Sequence, residues 1–179
     1  MKATGIVRRV DELGRLVIPK EIRRTMRLAE GTPLEIFTDR EGQIILKKYS
    51  PMMELGSFAK QYAESVAQTM NQKVAVSDRD QIIAVAGGGK RELLGKTISR
   101  QLEEMIINRE NSIQAGLDKK TIPLISGDED SYSAQAIYPI CCEGDCIGAV
   151  ILYSRENQTH FSETEYKAAA CAASFLGKQ

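Results

Sequence analysis

The chain has 179 residues, 24 Lys/Arg against 24 Asp/Glu, and 42% apolar and 6% aromatic content, which suits one medium or two small folded domains. It shows no charged-then-apolar leader, no apolar run near eighteen residues and no lipidation signal, so a cytoplasmic protein without a membrane partner is expected. Its cysteines, Cys141, Cys142, Cys146 and Cys171, are too few and too clustered for a secreted disulfide framework, and reduced thiols are expected.

In chain order, residues 5–10 read as a strand, Asp11-Glu12-Leu13-Gly14 as a turn and residues 15–18 as a second strand, which Pro19 must stop because it removes a ladder donor. A helix can begin at Pro19, with Glu21 suited to its positive end. Lys20, Arg23, Arg24 and Arg27 then share an arc of roughly 100°, opposite Ile22 and Met26. Gly31 is expected to close this helix and Pro33 to keep it from resuming. The order then repeats in residues 34–38, the turn Asp39-Arg40-Glu41-Gly42 and residues 43–48, since Asp caps its own backbone and Gly accepts a positive φ.

Charge is uneven along this stretch. Residues 1–27 hold eight Lys/Arg against three Asp/Glu, whereas the whole chain balances. With Arg8 and Arg9 on the first strand, Arg15 after the turn and Arg23 and Arg24 on the helix, positive charge comes from three consecutive segments, the footprint of a polyanion partner.

Residues 1–49, MKATGIVRRVDELGRLVIPKEIRRTMRLAEGTPLEIFTDREGQIILKKY, resemble the AbrB-type swapped-hairpin DNA-binding domain of bacterial transition-state regulators at nearly every position. The resemblance implies a β-barrel dimer in which two copies exchange hairpins, with Arg8, Arg9, Arg15, Arg23 and Arg24 contacting double-stranded DNA. Independent of it, some 48 residues with few large side chains bury too little surface to be stable alone. Phosphate contacts position a protein without reading bases, so selectivity is expected to come from DNA shape.

Ser50-Pro51 marks the expected boundary between a domain at 1–50 and one at 51–179. Leu55, Phe58, Ala59, Tyr62, Ala63, Val66, Ala67 and Met70 form a helical stripe, and Ser162 with Glu165 forms a capping box before an alanine-rich helix ending near Leu176. Between them, strands are expected at 74–77, 82–86, 112–115, 121–124, 134–140 and 146–153, with a helix around Leu102, Met105 and Ile106. This is an α+β plan with an antiparallel sheet and flanking helices. It resembles a GAF domain, notably in the run from Tyr138-Pro139-Ile140 to Ile147-Gly148-Ala149-Val150-Ile151, and GAF domains serve as sensors or dimerisation modules.

Three features invite other chemistry. Cys141, Cys142 and Cys146 lack zinc spacing and a nearby histidine, and they straddle Glu143-Gly144-Asp145, read as a turn with Cys142 and Cys146 ending its strands. Gly95-Lys96-Thr97 looks like the end of a P-loop, but Lys90 stands where its first glycine belongs, and Gly87-Gly88-Gly89 reads better as a turn than an anion cradle. His160 has no nucleophile at a recognisable spacing. No catalytic residue, metal or cofactor is therefore expected.

The order of an AbrB-type and a GAF-like domain resembles sporulation regulators of spore-forming bacteria. It implies a DNA-binding transcriptional regulator that dimerises through its first domain and tetramerises through its C-terminal helices, with an unknown small-molecule effector. The alternatives are an antitoxin autoregulating a toxin operon, which shares the hairpin fold, and a ligand-binding protein with an incidental basic face.

Overall fold

Asp11 and Asp39 build the same turn twice. Asp11 Oδ1 accepts from the backbone N–H groups of Leu13 at 3.0 Å and Arg15 at 2.7 Å, and Asp39 Oδ1 accepts from Glu41 at 3.0 Å and Gln43 at 2.9 Å. In each, the closing glycine takes a positive φ, 74° at Gly14 and 81° at Gly42, as the repeated Asp-x-x-Gly spacing requires. The computed structural model describes residues 4–49, 56–115, 121–128, 132–156 and 159–178. The expected boundary at Ser50-Pro51, and Leu55, lie outside the described residues. The chain divides into two compact units, Met1–Tyr49 and Ser50–Gln179.

Among the described residues of the first unit, only the second hairpin has a ladder. Strands β1 (Leu34–Thr38) and β2 (Ile44–Lys48) pair antiparallel, with Leu34 opposite Lys48 and Thr38 opposite Ile44. Residues 5–10 and 15–18, expected as strands, form none: the Asp11 N–H reaches the Arg15 carbonyl at 3.0 Å across the turn, but no ladder joins the two segments. Helix α1 (Lys20–Thr25) has six residues, and Pro19 is its N-cap rather than its first turn. Its end departs from expectation too. Arg27, at φ 51°, takes the left-handed position, while Leu28 N–H reaches the Arg23 carbonyl at 2.7 Å and Arg27 N–H the Arg24 carbonyl at 3.3 Å. That is a Schellman closure four residues before Gly31, so Arg27 lies beyond the helix face on which periodicity put it.

The second unit is a five-stranded antiparallel sheet in the order β4-β3-β7-β6-β5. Its strands are β3 (Lys73–Asp78), β4 (Ile82–Ala86), β5 (Ser112–Ala115), β6 (Ala134–Cys142) and β7 (Asp145–Ser154). Helices α2 (Gly56–Met70) and α5 (Glu163–Leu176) cover one face, and α3 (Lys90–Leu93) and α4 (Arg100–Ile107) lie on the other. Period-2 alternation sends Val74, Val76, Val150 and Leu152 to the α2/α5 side and Ala75, Ala149, Ile151 and Tyr153 to the other. Alanines dominate where helices meet the sheet, Ala59, Ala63 and Ala67 from α2 and Ala169, Ala172 and Ala173 from α5. The capping box at Ser162 is complete, with Ser162 N–H donating to Glu165 Oε2 at 2.7 Å.

Two sequence expectations are corrected here. Residues 121–124 form no strand: Pro123 interrupts the run, and Ile122 is bonded instead by the buried Gln135 amide, whose Oε1 accepts from its N–H at 2.9 Å and whose Nε2 donates to its carbonyl at 2.7 Å. The cysteines are not all reduced, because Cys141 and Cys146 form a disulfide while Cys142 and Cys171 are free. The reason is register. Glu143 and Gly144 both take positive φ, 49° and 93°, making a two-residue turn in which Cys142 faces Asp145 and Cys141 faces Cys146. A three-residue turn over 143–145 would have set Cys142 against Cys146, one place away.

Candidate nucleic-acid interface

The first unit presents its charge on short segments ordered by turns. Residues 4–10 carry Arg8 and Arg9, the Asp11 turn leads to Arg15, and the stretch to Pro19 feeds α1 with Lys20, Arg23 and Arg24. All five predicted arginines, Arg8, Arg9, Arg15, Arg23 and Arg24, are exposed. On α1, Lys20, Arg23 and Arg24 stand at i, i+3 and i+4 and share a face, whereas Ile22 is half-buried.

Arg15 is the most firmly oriented of the five. Its Nε donates to Asp11 Oδ2 at 2.7 Å, and its backbone N–H binds the other carboxylate oxygen. That N–H first, and then the guanidinium, hold the Asp11 carboxyl below its ordinary 3.8. Sequence reasoning read Asp11 only as a turn residue. The signal for its second role was the i, i+4 spacing of opposite charges across a tight turn. Arg8 Nη1 donates to its neighbour Val7 carbonyl at 3.1 Å, and Arg8 also lines a cleft with residues around the start of α1.

That cleft is the other feature of the unit. It measures about 510 Å³ and is lined mostly by apolar side chains, among them Ile6, Val7, Leu16, Val17, Ile22 and Leu46. Val7 is 84% exposed, Val17 72% and Ile44 72%, and no described residue between 4 and 49 is buried. Cations and uncovered apolar groups thus share one small unit.

The segment that looks like the end of a P-loop is bonded within the chain. Residues 90–93 are helical, and the Gly95 and Lys96 amides donate to the Ile82 and Leu93 carbonyls at 2.8 and 3.0 Å, so they bind this chain rather than cradling phosphate. Gly87, Gly88 and Gly89 all have positive φ; a Cβ at Gly87 would come within 2.5 Å of the Gln72 carbonyl oxygen, and one at Gly89 within 2.6 Å of the Tyr153 hydroxyl. His160 is exposed. On the second unit, Phe58 is 46% and Phe175 40% exposed, and the Tyr62 and Phe175 rings stack with centroids 5.1 Å apart. The stripe read on α2 therefore splits, with its alanines inward and its larger residues toward the surface.

Comparison with known proteins places this geometry. Residues 54–179 match the family described as stage V sporulation protein T C-terminal, transcription factor. Stage V sporulation protein T of Bacillus subtilis (strain 168) is 49% identical over 179 residues, 100% of this chain and 98% of that protein. The chain belongs to the stage V sporulation protein T family. Residues 7–53 of this family member also match the family described as antidote-toxin recognition MazE, bacterial antitoxin. The transition state regulatory protein AbrB of the same B. subtilis strain is 66% identical over 53 residues, 30% of this chain and 54% of that protein. The GAF domain of an Acinetobacter phosphoenolpyruvate-protein phosphotransferase superposes with a TM-score of 0.57 at 13% identity, over 74% of this chain and 82% of that one, and carries the fold assignment: the second unit is GAF-like. No helix among the described residues is long and apolar enough to cross a membrane.

Proposed function

We propose that this transcription factor of the stage V sporulation protein T family binds double-stranded DNA through Arg8, Arg9, Arg15, Arg23 and Arg24 as a self-associated assembly, and regulates sporulation genes. The observation that carries the reading is the pairing of exposed arginines with an uncovered apolar cleft on the same unit. A second copy exchanging the hairpin of residues 5–18 would supply strand partners, cover Val7 and Val17, and bring two sets of arginines together. In this reading residues 1–50 are the DNA-binding domain and 51–179 the regulatory and oligomerisation domain, acting in the cytoplasm without catalysis.

Phe58, Tyr62 and Phe175 supply the surface on which the second domains of two dimers meet, giving a tetramer. Joining two DNA-binding dimers makes the second contact intramolecular and raises avidity by about 10² with no new protein–DNA contact. A small-molecule effector of the GAF-like domain completes the proposal; a ligand-dependent rise in melting temperature would support it. The antitoxin reading has less behind it, because a transcription-factor family matches residues 54–179, nearly all of the second unit.

The test is salt dependence. If two copies each set about four arginines on phosphates, log K falls against log salt with a slope near −7, whereas a slope near −2 in a filter-binding series would remove this face as the site.

A further inference from the structure

The tip of the β6–β7 hairpin joins a pair of cysteines to the end of a helix. Cys141 and Cys146 face each other across the two-residue turn and are joined, with Cys141 exposed and Cys146 buried. Three other parts of the unit hold this tip. Arg79, in the β3–β4 turn, donates from Nε to the Cys146 carbonyl at 2.6 Å, and Arg109, just past α4, donates to the Gly144 carbonyl. From the far side Gly177, the C-cap of α5, lies so close to the Cys141 carbonyl oxygen that a Cβ there would stand 2.3 Å from it. Gly177 has φ −74°, so glycine is required there for space rather than for backbone conformation.

We propose that this tip is a redox modification site at which Cys141 and Cys146 cycle between dithiol and disulfide, and that the last turn of α5 responds to the change through Gly177. Exposure sets the order of events. Hydrogen peroxide reaches the Cys141 thiolate, whose sulfur takes one peroxide oxygen to become a sulfenic acid as hydroxide leaves. The Cys146 thiolate then attacks that sulfur, forming the S–S bond and expelling hydroxide; with the two thiol protons the balance is two thiols and one peroxide giving one disulfide and two waters. Reduction by a small-molecule thiol begins at the same exposed sulfur: two thiols become a disulfide and deliver two electrons and two protons. In the cytoplasm, on which the proposal rests in this respect, disulfides are characteristically transient and redox-sensing. Closing the bond pins the Cys141 carbonyl against Gly177; opening it frees one side of that contact and loosens the turn in which Gly177 and Lys178 N–H groups reach the Ala173 and Phe175 carbonyls at 2.9 and 3.1 Å.

The experiment uses the full chain, reduced with dithiothreitol and then exposed to hydrogen peroxide. Differential alkylation with peptide mapping reads the thiols, hydrogen exchange reads residues 173–178, and a thermal scan reads stability. Expected are joint protection of Cys141 and Cys146 with Cys142 and Cys171 still alkylated, exchange at 173–178 slower by about threefold in the oxidised form, and a melting temperature of the second unit higher by about 5 °C. Cys142→Ser should reproduce all three changes, whereas Cys141→Ser should hold the reduced values under both conditions. Alkylation of Cys141 and Cys146 after peroxide, or a link through Cys142, overturns the site. Formation of the Cys141–Cys146 bond with identical exchange at 173–178 overturns the response of α5. Finding the protein outside the cytoplasm overturns the compartment reading without altering these readouts.

Discussion

The two units differ most in what they bury. In the second, β7 is buried along nearly its whole length, and side chains from α2 and α5 on one side and α3 and α4 on the other close two clusters over the sheet. In the first, with equally regular turns and a paired second hairpin, no described residue is buried, and Val7, Val17 and Ile44 face outward. The first unit thus has local consistency without burial. Turn chemistry and alternation act over a few residues, but a segment this short cannot remove enough apolar surface from water by itself. The difference sets a first unit whose apolar side chains are left uncovered against a second that folds around its own sheet.

The contrast breaks first at Val17. If a second copy covers it, Val17→Asp should abolish association through the first unit, reduce the oligomer to whatever the second units hold together, and cut DNA affinity by more than about a hundredfold, because an unpaired charge would be buried at the contact. Circular dichroism of the second unit should not change. A normal oligomer in a sizing experiment would mean that Val17 faces water in solution too, where such a change alters stability by less than about 0.5 kcal/mol.

A smaller effect separates charge from assembly. Arg24→Ala should weaken DNA binding by about tenfold for all sequences and make the salt slope shallower by nearly 2, since each dimer loses two phosphate contacts, while the melting temperature stays within about 1 °C. Unchanged affinity and slope would remove Arg24 from the interface.

Alkaline titration should reach the second unit through Tyr153. Burial, the largest cause, pushes its phenol up to about 12 against the lowering influence of Arg155, and its hydroxyl donates to the Gly88 carbonyl at 3.1 Å. Its folded value stands above the unfolded 10.0, so the contribution is whole below pH 10 and is lost as pH rises toward about 12. Tyr132 is raised in the same direction, by burial first and its bond to Asp128 second. Denaturant midpoints of the second unit should fall across that window, and Tyr153→Phe should flatten the fall; an equally steep fall in the variant would assign it elsewhere.

The smallest expected change is at Arg27, whose φ of 51° suits glycine. Arg27→Gly should stabilise the first unit by about 0.5 kcal/mol, measured as a shift in denaturant midpoint, with little loss of DNA affinity.

How much of this was legible in the sequence depended on the reach of each interaction. The Asp11 and Asp39 turns, the Ser162 capping box and the alternation of β3, β4, β6 and β7 were readable because they are short-range and periodic. The helix closure at Arg27 was missed because a non-glycine residue took the left-handed position. The pairing of Cys141 with Cys146 was missed because turn length decides register, and Glu143 gave no sign that it would take positive φ. Gln135 replacing a strand neighbour for Ile122 was invisible because the deciding partner is remote in sequence, and the missing ladder of the first hairpin does not follow from its local alternation. The arginines were legible as charge, whereas the grip of Asp11 on Arg15 depends on the shape of the turn between them.

Sedimentation velocity of residues 1–53 expressed alone, over a hundredfold range of concentration, bears most directly on whether this unit is half of a shared core. The account predicts a dimer that dissociates and unfolds together on dilution, with a melting temperature that rises with concentration. A folded monomer with a concentration-independent melting temperature would contradict it.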